Sequence, residues 1–299
     1  MKVIIAGSSG FIGSALSAAL DEAGHSVVRL VRPGGSLGVD DIRWDPSTGE
    51  VDVERVRASG GVDAIVNLAG AGVADRRWSA HYREEILQSR LSTTRALRGV
   101  MDAAGGVGRV INASAIGIYG PRGDEVLDES SSVGSDFLAE VCREWEAAAR
   151  DLASAGTSVV TARTGLVMDP AGGLLARVRP LFRLGLGGRL GTGRQWMSLI
   201  TRRDEVRALL FLLTSSLEGP VNLVAPDACT NAEFTTLLGR ALRRPTLARV
   251  PAFALRLVLG TEMAEGTVLA SQRVVPRALT EAGFTFESRD AAAVIAASV

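Results

Sequence analysis

The stretch GSSGFIG, residues 7–13, decides how the chain is read. It follows KVIIAG, a continuous β-branched run that reads as a buried strand, and precedes SALSAALDEAG, a helical pattern closed by Gly24. The three glycines have separate tasks in such a strand–loop–helix. Gly7 permits the tight turn out of the strand. Gly10 lets the backbone approach a pyrophosphate, and Gly13 lets the helix pack against the sheet. The helix start adds free N–H groups and a partial positive charge. Gly7, Ser8, Ser9, Gly10, Phe11, Ile12 and Gly13 are therefore assigned to a dinucleotide cofactor.

Outward from the loop, HSVVRLVR (residues 25–32) reads as the second strand. An NAD site places Asp or Glu roughly 20 residues past the loop, to hold the ribose hydroxyls. This chain has Arg29 and Arg32 there, and its first acids beyond, Asp40 and Asp41, come late. A guanidinium suits a 2′-phosphate. Arg32, at the strand's mouth, is the candidate for it, Arg29 reads as a solvated surface residue, and NADP is favoured over NAD.

Further strands are expected at VDAIVNLAG (62–70), RVINASAIGIYG (109–120) and TSVVTARTGLVM (157–168), with a helix in DFLAEVCREWEAAARDLASAG (136–156). Strands alternating with helices argue an α/β, Rossmann-type doubly wound parallel sheet with right-handed crossovers. Residues 172–193, GGLLARVRPLFRLGLGGRLGTG, predict a helix and a glycine-rich loop over a pocket. Past Pro226 the pattern is mostly helical. The expected division is 1–225 for the nucleotide-binding domain and 226–299 for a small C-terminal domain.

Composition narrows the function classes. Among 299 residues, 33 Lys and Arg balance 33 Asp and Glu, which gives no electrostatic case for nucleic acid or a membrane surface. Cys142 and Cys229 form no metal spacing and suit a reducing compartment. No run reaches the roughly 20 apolar residues of a bilayer span, so a cytoplasmic protein is expected. The only lysine is Lys2.

GSSGFIGSAL, NLAG (67–70), SAIGIYG (114–120) and FLAEVCREWEAAA (137–149) together resemble the extended short-chain dehydrogenase/reductase superfamily. More narrowly, with RWSAHYREEILQSRLSTTRAL, GTGRQWMSLITRRD and VVPRALTEAGFTFE, the chain is similar to atypical epimerase-family proteins with a small C-terminal domain of unknown function. The resemblance covers almost the whole chain. It implies a seven-stranded parallel sheet, with Leu68, Ala69 and Gly70 close to the cofactor. It implies a cofactor-side position for Arg90, where relatives carry asparagine. Arg163, at a strand's C-terminal edge where ligands bind, is expected to reach the same site. Homodimers formed by two helices flanking the sheet are common among relatives.

The family's proton machinery is Ser or Thr with a Tyr-x-x-x-Lys pair, the lysine lowering the tyrosine pKa. Aligned on Trp145-Glu146, the lysine place is Cys142, the tyrosine place Leu138 and the serine place Ala115. Tyr119, at the end of its strand, is the remaining hydroxyl candidate for catalysis. Gln195 and Trp196 are expected to shape a substrate wall, although Thr201 stands where relatives carry histidine. The leading expectation is an NADP(H)-dependent oxidoreductase or epimerase-like enzyme acting on a small polar, sugar-like substrate. The alternative is a redox-inert NADP(H) sensor or scaffold.

Overall fold

The computed structural model describes residues 1–299. Its main sheet holds β1 (Lys2–Ala6), β2 (Ser26–Val31), β3 (Ile42–Asp45), β4 (Glu50–Val51), β5 (Ala64–Asn67), β6 (Arg109–Ala115), β8 (Ser158–Thr164) and β13 (Gly219–Leu223). Their order is β13-β8-β6-β5-β1-β2-β3-β4. Seven of these strands run parallel, and only the short β4 is antiparallel to its neighbour. The order reverses between β1 and β5, which opens the crevice where nucleotides bind in open α/β sheets.

Both sheet faces are covered, which is why the strands read as unbroken apolar runs. Along β1, Val3 and Ile5 enter one core, whereas Ile4 and Ala6 enter the other. The first core is closed by α1 (Phe11–Glu22) and α6 (Arg202–Thr214), the second by α2 (Val53–Ala58), α3 (Ala80–Ala103) and α4 (Phe137–Arg150). Helix α1 ends where Gly24 adopts φ +76°, a left-handed stop available to glycine at little cost.

The small unit is not drawn from the C-terminal stretch alone. Helices α5 (Gly173–Arg183), α7 (Asn231–Leu242), α8 (Ala252–Leu259), α9 (Thr261–Gly266), α10 (Arg277–Glu281) and α11 (Ala291–Ser298) surround four two-stranded pairs. These are β7 (Val126–Leu127) with β16 (Arg273–Val274), β9 (Leu166–Asp169) with β12 (Leu199–Thr201), β10 (Gly188–Leu190) with β15 (Ala248–Val250), and β11 (Trp196–Met197) with β14 (Cys229–Thr230). Residues 173–197 thus belong with the small unit. Conversely, Leu279 and Phe286 join the core beneath β1 and β13. No helix is long and apolar enough to cross a membrane.

Candidate cofactor cleft

The glycine loop leaves β1 at Ala6 and enters α1 at Phe11. Gly7 has φ +81°, and a Cβ there would lie 2.8 Å from the Leu68 carbonyl carbon and 2.9 Å from the Ala69 nitrogen. A Cβ on Gly13 would meet the Gly7 carbonyl oxygen at 2.1 Å. Both positions therefore need glycine for packing. At Gly10 the only near neighbour of such a carbon is the Gly7 oxygen, at 3.1 Å, so this side of the loop stands open. Ser9 and Gly10 are exposed, whereas Ser8 is buried.

No side chain caps α1, in contrast to α2, α3, α4, α6 and α7, which Asp52, Ser79, Asp136, Thr201 and Thr230 cap. The first-turn N–H groups of Phe11, Ile12 and Gly13 thus face an open crevice without an internal acceptor. The Phe11 ring itself closes against the β9–α5 turn, under the Arg202 guanidinium at 5.1 Å.

The NLAG turn lies directly against this loop because Asn67 is fixed from below. Its Nδ2 donates to Asn112 Oδ1 (2.8 Å) and Thr94 Oγ1 (3.2 Å), and its Oδ1 accepts from the Ala69 N–H. Leu68 and Ala69 are thereby held beside Gly7. Gly70 borders Arg90, whose Cγ and Cζ come within 3.3–3.5 Å of where its Cβ would be. Arg90 turns inward rather than pairing with Glu84 or Glu85 along the helix. Its Nη1 donates to the carbonyls of Ala71 and Ile86, and its guanidinium lies 5.0 Å from the Trp145 ring. Nε and Nη2 have no protein partner, and burial pushes the guanidinium pKa down.

Charge at the mouth of β2 is sorted by pairing. Arg29 is not a free surface cation; it grips Asp41 through Nε–Oδ1 (2.8 Å) and Nη2–Oδ2 (2.5 Å). The Asp41 carboxylate is consumed in that pair. Arg32 is exposed, and its guanidinium has no carboxylate or hydrogen-bond partner. Arg43, which sequence reasoning passed over, braces it: Arg43 Nη1 donates to the carbonyls of Arg32 and Gly35. Arg43 stands beside Val31 through the β2–β3 register, a pairing that no local pattern announces.

Two expected site residues are corrected. Arg163 does not reach the cleft. It points to the α4 side of β8, where Nε and Nη2 hold Glu146 at 2.8 and 2.9 Å and Nη1 donates to the Tyr119 hydroxyl at 2.9 Å. Tyr119 is wholly buried, and its hydroxyl donates to Asn222 Oδ1 at 2.7 Å. Burial pushes its pKa up to about 12 despite the neighbouring Arg163. A phenol sealed from solvent with both hydrogen-bond directions taken has no route for exchanging a proton with a ligand. Ser114 belongs to the same network, donating to Glu146 Oε1 at 2.7 Å.

Leu138, Cys142 and Ala115 lie close together beside Gly117. A carbon added at Gly117 would touch Leu138 Cβ at 3.4 Å and Cys142 Sγ at 4.0 Å. Cys142 lies against the Ala115 backbone, and burial pushes its thiol up to about 12. An alkyl chain, a neutral thiol and a methyl group therefore line this spot. Gln195 is also no open wall: its amide is fastened to the Leu190 and Val268 carbonyls. Trp196 bonds Asp124 and stacks under Arg273 at 4.3 Å.

Comparison with known proteins matches this geometry. The model of the NAD dependent epimerase/dehydratase family matches residues 3–224, and a domain of unknown function (DUF1731) matches residues 250–297. Epimerase family protein Mb2239 of Mycobacterium bovis is 50% identical over 287 residues, covering 95% of this chain and 93% of its own. Epimerase family protein SDR39U1 of Bos taurus is 38% identical, covering 96% and 95%. A crystal structure of human epimerase family protein SDR39U1 (isoform 2) with NADPH superposes with a TM-score of 0.89 at 32% identity, covering 99% and 98%. The nucleoside-diphosphate sugar epimerase from Corynebacterium glutamicum gives 0.80 at 34% identity, covering 99% of this chain and 57% of that one.

Proposed function

Because the chain belongs to the NAD dependent epimerase/dehydratase family, we propose that it binds NADP(H) in the crevice above Gly7–Gly13 and works there without the family's tyrosine acid. The observation that carries the cofactor choice is the charge sorting at β2: Asp41 is consumed by Arg29, and Arg32 stands free. The open side of Gly10 and the uncapped α1 start suit a pyrophosphate. Arg32, backed by Arg43, suits a 2′-phosphate. The NADPH carried by the human relative of similar structure supports the same choice.

Bound there, the cofactor would supply hydride transfer at its nicotinamide. The chain's own contribution is binding and orientation. The first-turn amides of α1 hold phosphate, Leu68 and Ala69 lie close against the loop, and Arg90, which packs against Gly70, keeps Nε and Nη2 unpaired. Leu138, Cys142 and Ala115 offer no group acidic enough to give up a proton at neutral pH, because burial holds the Cys142 thiol protonated. A sugar-like substrate whose carbinol must gain or lose a proton is poorly served by that lining, so a proton would come from water. The redox-inert sensor is the second reading, favoured by the same three side chains.

Nicotinamide fluorescence titration separates these. NADPH should bind tightly, Arg32→Ala should weaken it by tenfold or more, as for loss of a charge-assisted contact, and NADH should be indifferent to the change. Equal affinity for the two cofactors would end the NADP assignment. Binding without hydride exchange across a panel of carbonyl and quinone acceptors would favour the sensor.

A further inference from the structure

The chain's charges balance overall, yet the fold gathers arginines on one side of the small unit. Residues 173–194 and 240–259 together contain ten arginines and no Asp or Glu. Strands β10 and β15 join these two segments in parallel, with Gly188 beside Ala248. Arg244 Nε also donates to the Arg183 carbonyl at 2.9 Å. Of the ten, only Arg177 and Arg256 meet a carboxylate, Asp75 and Glu265. Arg183, Arg243, Arg244 and Arg249 are exposed without an ion pair, whereas Arg240 turns to a cleft that it shares with Asp227, Glu233 and Asp290.

Large apolar side chains stand in water around the same strand pair. Leu184 and Leu186 lead into β10 and are 73% and 61% exposed; Leu247, leading into β15, is 89% exposed. Helix α8 starts two residues after β15. Seven of its eight residues are apolar, and none is buried. Phe253, Leu257 and Val258 point outward at 70%, 77% and 66% exposure. A single exposed leucine needs no explanation, but six large side chains around one strand pair form a docking surface.

We propose that this face docks the protein on an anionic lipid bilayer. The leucines, Phe253 and Val258 would enter the headgroup–acyl boundary, while the arginines meet phosphate groups. Charge selects this occupant. A second copy placed by a two-fold axis would set unpaired arginines against arginines, with no acid in either segment to answer them. Single-stranded nucleic acid would want stacking rings, and the exposed apolar set contains one, Phe253. The proposal does not depend on the cofactor reading, because the face carries none of the cofactor-loop residues.

The test is cosedimentation of the full chain with vesicles of phosphatidylcholine alone, or of phosphatidylcholine mixed with phosphatidylglycerol. Binding to the anionic vesicles only, weakening as salt rises, is expected. Arg183→Ala with Arg249→Ala should reduce partition about fivefold per arginine. Leu184→Ser with Leu257→Ser should abolish it, with the melting temperature unchanged because all four side chains are exposed. No cosedimentation with anionic vesicles overturns the proposal. So does equal partition onto neutral vesicles, or a concentration-dependent dimer that Leu257→Ser dissolves.

Discussion

Glu205 gives a prediction whose size follows from its surroundings. It sits in the first turn of α6, fully buried, with Thr164 Oγ1 donating to Oε1 at 2.7 Å and no partner for Oε2. Burial pushes its pKa from an ordinary 4.5 to about 8. Between those values the unfolded chain has lost the proton and the folded chain has kept it. Raising the pH through that window therefore favours unfolding, by about 1.4 kcal/mol per pH unit and at most about 5 kcal/mol across it. Glu205→Gln mimics the protonated acid, with one acceptor for Thr164 and an amide in place of the unpartnered hydroxyl. Urea unfolding of both proteins at several pH values is the assay. The two stabilities should nearly coincide below pH 4.5 and separate steadily above it, the variant becoming more stable by about 3–4 kcal/mol near pH 7.5. Other groups titrate equally in both proteins, so the difference isolates position 205. Parallel profiles from pH 5 to 8 would refute the argument, since Glu205 would then ionise as it does in water.

Gly13→Ala should cost about 3 kcal/mol or more, because its new carbon would overlap the Gly7 carbonyl; calorimetry checks it. Gly10→Ala should leave the fold nearly as stable, losing only a few tenths of a kcal/mol to about 1 kcal/mol at the helix cap, while weakening NADPH in the fluorescence titration. Glu146→Gln, which strands Arg163 in the interior, should cost about 3–5 kcal/mol in chemical denaturation. Tyr119→Phe should lose about 1–3 kcal/mol of stability and leave NADPH affinity unchanged, because its hydroxyl serves Asn222 and Arg163 alone; reduced affinity would return Tyr119 to the cofactor site.

The glycine loop was legible because its three glycines are local requirements: a left-handed φ, a close backbone approach and an open side can each be read from spacing. The alternation of strands and helices was legible for the same reason, since periodicity is a local signal. Tyr119 and Arg163 misled because a strand's C-terminal edge has two faces. Which face a side chain takes, and what waits there, depends on α4 packing across β6 and β8. Glu146, 17 residues from Arg163, gave no sign of that pairing beyond being acidic in an amphipathic helix. Arg29 and Asp41 likewise met through a loop whose path no pattern specified.

By itself, the sequence determined the doubly wound core, the position of the cofactor loop and the absence of any Tyr-x-x-x-Lys stretch, since these depend on residue type at fixed spacing. Only the tertiary structure decided which charges are spent and which are free. It paired Arg163 with Glu146 and Arg29 with Asp41, left Arg32 and Arg90 with open donors, and collected a balanced chain's arginines beside α8. Ion pairing depends on distances of a few ångströms between groups remote in sequence, and folding alone sets those distances.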